Sequence, residues 1–204
     1  MLDKEEHVWV VGAAGFVKFD TKKHEFTSWD IPERFGTGGH THDFDPDGNV
    51  WSTMSGTYPA WVVKLDPRSG EIEGFEVGTH MKGTRTGPSP YGLVIDRKGT
   101  VWYTLLWGNR VGKIDRKTSK VTEYALPTEG SGPYDADVDT TRNLIWFSAR
   151  DADQIGRFDP RTNTFAEFPL PSAGTSSRRI LVDRTKPNRV WWGGSRIGYI
   201  EVMQ

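Results

Sequence analysis

No cysteine occurs among the 204 residues, so neither a disulfide nor a thiolate-held metal supports the fold. An excess of one charge is also missing: 26 Lys and Arg stand against 27 Asp and Glu, a formal net charge of -1. That balance supplies no attraction to nucleic acid or to an anionic membrane, and neither is expected as a partner. Long apolar runs are absent too. No uncharged stretch approaches the ~18 residues of a membrane span, and the opening Leu2-Asp3-Lys4-Glu5-Glu6 lacks the apolar core of a signal peptide. The chain reads as soluble, and as cytoplasmic or, if a signal lies upstream, exported. No glycine-rich loop follows a strand and opens a helix, which removes the common phosphate-binding motifs.

What the chain does have is tryptophan, nine in all, set in a repeat. A Val/Ile-Trp mark, trailed by a Gly-Lys/Arg-hydrophobic-Asp run, recurs at Trp9, Trp51, Trp102, Trp146 and Trp191, with spacings of 42, 51, 44 and 45 residues. Self-similarity at roughly 40 to 50 residues, with several strands per unit, predicts a β-propeller. The expected fold is all-β, with four-stranded antiparallel blades in a single array of units 5–36, 37–87, 88–131, 132–174 and 175–204.

The third unit shows the pattern most clearly. Tyr91 to Asp96 reads as strand a, Val101 to Thr104 as strand b, Arg110 to Asp115 as strand c and Val121 to Pro127 as an alternating outer strand d. In the second unit Asp47-Gly48 supplies the positive-φ residue of a tight hairpin. Asp20, Asp66, Asp115 and Asp159 end the c strands just before polar turns, where a carboxylate caps the following amides; turn formation accounts for them better than acid catalysis does. The Trp series reads as packing between blades. Trp61, Trp107 and Trp192 fall outside it and are expected in loops or at the surface, as are His7, His24 and His80.

The first unit reads from strand b and the last only to strand c, so three, four, four, four and three strands are expected. These ends do not complement each other as those of a closed ring do. A propeller lacking upstream blades is the favoured expectation, with a five-blade ring or a ring closed by a dimer as alternatives.

Gly132-Pro133-Tyr134, Leu144-Ile145-Trp146-Phe147-Ser148, Gln154-Ile155-Gly156-Arg157-Phe158-Asp159 and Glu167-Phe168-Pro169-Leu170-Pro171 resemble the streptogramin (virginiamycin B) lyase family over nearly the whole chain. The resemblance implies a seven-bladed ring and a ring-opening elimination on a cyclic ester. In that reaction a histidine base removes the proton α to a carbonyl, and Mg²⁺ holds the developing charge. Counted from the C-terminal end, the two positions of the family's histidines carry Tyr134 and Arg178, and the position of its glutamate carries Ser176. The equivalent positions of units two and three are His40 and Tyr91.

His40, Tyr91, Tyr134 and Arg178 are thus repeat equivalents at the start of strand a, where a propeller presents side chains to its central channel. They are expected to bind a small-molecule ligand there, with Arg178 on an anionic or carbonyl group, the tyrosines as donors and His40 as catalytic base or ligand. The bland alternative is that they line a water-filled channel. His40 and His42 share one face of a strand if alternation holds, and are expected to share a metal ion with a carboxylate from elsewhere; burial of His42 between blades is the alternative. The insertion from Gly78 to Pro88 either covers the channel beside Tyr91, with Lys82 and Arg85 turned to an anionic ligand, or is simply a flexible loop. An enzyme and a non-catalytic propeller binding a small molecule, glycan or protein both remain open.

Overall fold

The computed structural model describes residues 1–13, 15–56, 58–81, 87–186 and 188–202. Among them are eighteen strands in five antiparallel sheets. The first sheet holds β1 (Val8–Val11), β2 (Gly15–Asp20) and β3 (Glu25–Asp30). The second holds β4 (Gly39–Phe44), β5 (Val50–Met54), β6 (Ala60–Leu65) and β7 (Ile72–Val77). The third is formed by β8 (Pro90–Ile95), β9 (Val101–Leu105), β10 (Arg110–Asp115) and β11 (Lys120–Ala125). The fourth is formed by β12 (Pro133–Asp139), β13 (Leu144–Ala149), β14 (Gln154–Asp159) and β15 (Thr164–Pro169). The last contains β16 (Arg179–Val182), β17 (Arg189–Gly193) and β18 (Ile197–Glu201). Each sheet is a meander, the blade of a propeller. The chain divides into two compact units, Met1–Tyr91 and Gly92–Gln204.

Turn chemistry sets these meanders. In the first four sheets the c strand ends at an aspartate whose carboxylate accepts amide N–H groups of the turn: Lys22 and Lys23 on Asp20, Arg68 on Asp66, Lys117 and Thr118 on Asp115, Arg161 on Asp159. Four residues on, the chain takes a positive φ at His24 (59°), Gly70 (77°), Ser119 (58°) and Asn163 (57°) and reverses into strand d. The Arg68 guanidinium and amide lower the Asp66 carboxyl to about 2.

The aspartate that ends strand a does more. Asp45 Oδ1 accepts the amides of Asp47 and Asn49 at 2.9 and 3.0 Å, while its Oδ2 takes the indole N–H of Trp51 at 3.0 Å. Asp96 does the same for Lys98, Thr100 and Trp102, the indole at 3.1 Å. One side chain thus closes the hairpin and satisfies a buried donor. In the first sheet Asp3 holds the Trp9 indole at 2.8 Å, and Leu2 bridges Val8. A single bridge thus sets Leu2 beside strand b on the side that strand a takes elsewhere, while the first sheet begins with strand b, as expected. The turn Asp3 to His7 takes its positive φ at Glu6 (67°), where the second and third sheets use Gly48 (86°) and Gly99 (78°). The fourth sheet departs from the pattern. Its hairpin is one residue longer, Asp139 Oδ2 receives Arg142 Nε at 2.5 Å, and the Trp146 indole nitrogen is buried without a partner.

Strand-c glycines follow from the same packing. Gly112 stands opposite Tyr103 and Gly156 opposite Phe147, and a Cβ at either glycine would run into the facing ring. The ring fills the space that the glycine leaves, which explains the Gly-Lys/Arg-hydrophobic-Asp run. In the first unit Trp9, Phe16, Val50, Met54, Val63 and Leu65 form one core. The second unit has two, one around Trp102, Val138 and Phe158 and one around Trp146, Ile155 and Trp192.

Three expectations fail here. Trp192 is 5% exposed, because the register that sets it opposite Ile180 and Gly198 turns it into the core beside Trp146. Trp61 packs edge-on against Phe35 at 5.2 Å. His7 is buried, with Nδ1 3.1 Å from Asp3 and Nε2 3.5 Å from Asp20. Trp107 is at the surface as expected, 49% exposed.

Asp96→Ala should lower the unfolding free energy by about 2–4 kcal/mol, because it leaves a buried indole N–H and two turn amides without their acceptor. Asp115→Ala, in an exposed turn, should cost less. Equal losses in urea titrations would show that the indole bond adds nothing to the turn.

Candidate functional site

The residues that open the a strands are held from behind by a recurring hydroxyl. Thr53, Thr104 and Ser148 sit two residues after the strand-b tryptophan and are fully buried. Each accepts a backbone N–H from its own strand a: Thr41 at 3.2 Å, Gly92 at 2.9 Å and Asp135 at 3.1 Å. Thr53 then donates to the carbonyl of Tyr91 at 2.7 Å, and Thr104 to that of Tyr134 at 2.8 Å. This latch fixes the backbone at the two tyrosines to buried groups, so their rings project from a rigid base.

A bulge acts at the same place. Gly39 pairs with Met54 but His42 with Ser52, and Pro133 pairs with Ala149 but Ala136 with Phe147, so each a strand carries one extra residue at its start. Strict alternation through His40, Thr41 and His42 is lost. His40 packs against Tyr91 with ring centroids 4.1 Å apart and planes tilted by 51°, its Nδ1 3.0 Å from the Thr41 hydroxyl. His42 instead lies against the backbone of Trp9, with its Nε2 buried and unpartnered. The two imidazoles go to different neighbours, contrary to the shared face expected of them.

In the second unit two cations approach Tyr134. The Arg178 guanidinium is 5.8 Å from its ring centroid and that of Arg150 is 5.6 Å away; Arg150 also lies 5.3 Å from the ring of Trp107. Distances near 6 Å permit cation–π attraction. The order Trp107, Arg150, Tyr134, Arg178 alternates ring and guanidinium. Asp151 holds Arg150 in place through paired bonds of 2.7 and 3.0 Å. Sequence reasoning found Tyr134 and Arg178 but missed Arg150. Its signal was the Arg150-Asp151 pair directly after strand b, together with a tryptophan outside the repeat series.

The carboxylates behind Tyr134 have structural partners. Asp135 Oδ2 accepts the amide of Ile180 at 3.1 Å, and Asp137 Oδ2 that of Val182 at 2.8 Å, with Arg184 on its other oxygen at 2.7 Å. Burial raises the Asp135 carboxyl above the usual range, against the lowering effect of the Ile180 amide and Arg179. Magnesium takes oxygen ligands in a near-octahedral set. Among the described residues no three His, Asp or Glu side chains converge to hold a metal. The donor set at these positions therefore does not fit the ion that the resemblance implies, nor does it offer a third ligand to His40 and His42. Ser176, at the position of the family's glutamate, has a positive φ of 45° and donates its amide to Asp153 at 3.3 Å. Lys82 and Arg85 lie outside the described residues; Thr79–Met81, ahead of them, form a 3-10 turn.

The sequence model of the virginiamycin B lyase family matches residues 3–204. The chain belongs to that family. No curated protein sequence matches it. Among solved structures, virginiamycin B lyase from Staphylococcus aureus, in its selenomethionine form, superposes with a TM-score of 0.81 at 20% identity, covering 100% of this chain and 69% of that one. A catalytically inactive histidine-to-alanine variant of that lyase with quinupristin gives a TM-score of 0.80 at 21% identity, with 100% and 69% covered. An auxiliary nutrient binding protein from Bacteroides thetaiotaomicron VPI-5482 gives 0.69 at 12% identity, with 98% and 54% covered. At these identities the likeness shows the propeller fold. No helix among the described residues is long and apolar enough to cross a membrane.

Burial, and next the positive charge at the amino terminus, hold the His42 imidazole below its ordinary range; the Trp9 carbonyl opposes them. The unfolded chain binds this proton more readily than the folded one, so stability is present above pH ~6.5 and falls as the pH drops through that value. The urea midpoint should decrease between pH 7.5 and about pH 5, and His42→Gln should flatten that decrease. An equally steep fall in the variant would remove His42 as its source.

Proposed function

We propose that this member of the virginiamycin B lyase family is a ligand-binding propeller, and that it takes a small molecule on the surface formed by Trp107, Tyr134 and Arg178. The observation that carries the reading is the alternation of ring and guanidinium through Arg150. Exposed aromatic faces bury large apolar area at little entropic cost, and adjacent guanidinium groups orient polar groups of a ligand. In the first unit His40, tilted against Tyr91, offers a second, smaller aromatic surface with an imidazole able to donate or accept.

The family-level activity is a divalent-metal-dependent ring opening of a cyclic ester by elimination. His40, the one histidine at a strand-a start, is the candidate base for it. Its Nδ1 lies 3.0 Å from the Thr41 hydroxyl, a contact that orients the ring. The carboxylates near Tyr134 are engaged with backbone amides and arginines, so we derive no metal-assisted step, and binding without turnover is the favoured reading.

Quinupristin is the probe that separates the two. Calorimetry should show binding that EDTA leaves unchanged and that Tyr134→Ala weakens about tenfold or more, with intact quinupristin recovered by mass spectrometry after incubation with Mg²⁺. Ring-opened product that appears only with Mg²⁺ and disappears in His40→Ala would establish the enzyme instead. Absence of binding would remove quinupristin-like molecules as ligands of this surface.

A further inference from the structure

Arg178 does not stand alone. It leads with Arg179 into β16, and the two line a shallow depression with Ser176, Ser195, Gly193 and Gly194, entirely within the second unit. Its floor is a fixed backbone. The amide of Arg178 donates to Gly193 O at 2.8 Å, that of Ser195 to Thr175 O at 2.9 Å, and the Ser195 hydroxyl bonds to Gly174 O and Thr175 O at 3.0 Å each. A Cβ on Gly194 would strike the carbonyl oxygens of Thr175 and Ser176, so that position is confined to glycine by close approach.

The local charge is positive. Among the described residues the Arg178 guanidinium has no hydrogen bond or ion pair, and its one contact is the face of Tyr134. Arg179, with 73% of its side chain exposed, is 3.8 Å from Asp135, too far for a hydrogen bond. The other nearby acid, Asp153, is saturated by the amides of Gly174 and Thr175 at 2.6 and 2.8 Å and by the Thr175 hydroxyl at 2.6 Å. Asp135 forms a loose ion pair with Arg179, and among the described residues neither carboxylate pairs with Arg178. An exposed guanidinium packed on a ring presents its N–H edge outwards, and that edge matches a carboxylate in bidentate fashion.

We infer that this depression receives the carboxylate of a planar ligand whose ring lies over Tyr134. Arg178 is the bidentate partner, Arg179 adds a second positive charge and the Ser176 hydroxyl adds a donor. The inference rests on Tyr134 and Arg178 being the ligand site, and it names what that site selects: an aryl carboxylate over its neutral amide.

The test uses 2-naphthoate and 2-naphthamide, which share ring and shape and differ in charge. By calorimetry at low salt, naphthoate should bind about tenfold or more tightly than naphthamide, and the difference should shrink as salt rises. Arg178→Gln should weaken naphthoate about tenfold or more and bring the two affinities to within about threefold; circular dichroism would verify that the variant folds. Arg179→Gln should narrow the gap by a smaller factor. Equal affinities in the parent protein, an undiminished preference in Arg178→Gln, or no binding of either probe each overturn the inference. If quinupristin binds through Tyr134 while naphthoate shows no preference, only the anion selection fails. If neither quinupristin nor a naphthyl probe responds to Tyr134→Ala, the site itself fails.

Discussion

A buried tryptophan carries an N–H that has to find an acceptor, and an outer hairpin carries amides that have to find theirs. In the second and third sheets one aspartate at the end of strand a meets both needs, and in the first Asp3 bonds the Trp9 indole in the same way. The geometry is tight because the same carboxylate cannot shift towards the indole without abandoning the turn. A longer hairpin can meet the same needs: in the fifth sheet Asp183 accepts the amides of Thr185 and Lys186 and, at 3.2 Å, the Trp191 indole. After Asp139 the carboxylate instead pairs with Arg142, and among the described residues the Trp146 indole goes without. Burial of the ring is kept at the expense of one hydrogen bond, of order 1–3 kcal/mol.

From this anchor the positions of the candidate ligand residues follow. The tryptophan fixes strand b, the hydroxyl two residues later fixes the start of strand a, and in two cases it reaches on to a tyrosine carbonyl. The bulge in β4 and in β12 then displaces the residues after the first, His40 and Thr41 or Tyr134 and Asp135, from regular pairing. Side chains there depart from strict alternation, while the backbone is still held. A backbone fixed in this way is what a binding residue requires.

Much of this was legible in the sequence, because the signals are local. Strand order, the strand count, the turn role of Asp20, Asp66, Asp115 and Asp159 and the burial of Trp9, Trp51, Trp102 and Trp146 depend on spacing and turn chemistry within a few residues. The failures all involve pairing between strands. Whether Trp191 or Trp192 faces the core depends on register against Ile180 and Gly198. The separation of His40 from His42 depends on a bulge that exists only relative to β5. His7 is buried by Asp3 and Asp20, which come from two different turns. Arg150 becomes part of the site only because Asp151, Trp107 and Tyr134 meet around it, and no periodic pattern links those residues.

The residues at the family's reactive positions change what the surface can do. An imidazole exchanges a proton near neutral pH, whereas a guanidinium keeps its proton throughout the range where the protein is folded. Arg178 in place of a histidine therefore removes a base and adds a permanent positive charge, and Ser176 in place of a glutamate removes a negative charge beside it. Both replacements move the local potential in the same direction. On the reading proposed above, such a surface holds an anion against an aromatic ring in place of abstracting a proton, and the guanidinium groups of Arg150 and Arg178, 5.6 and 5.8 Å from the Tyr134 ring centroid, support that reading.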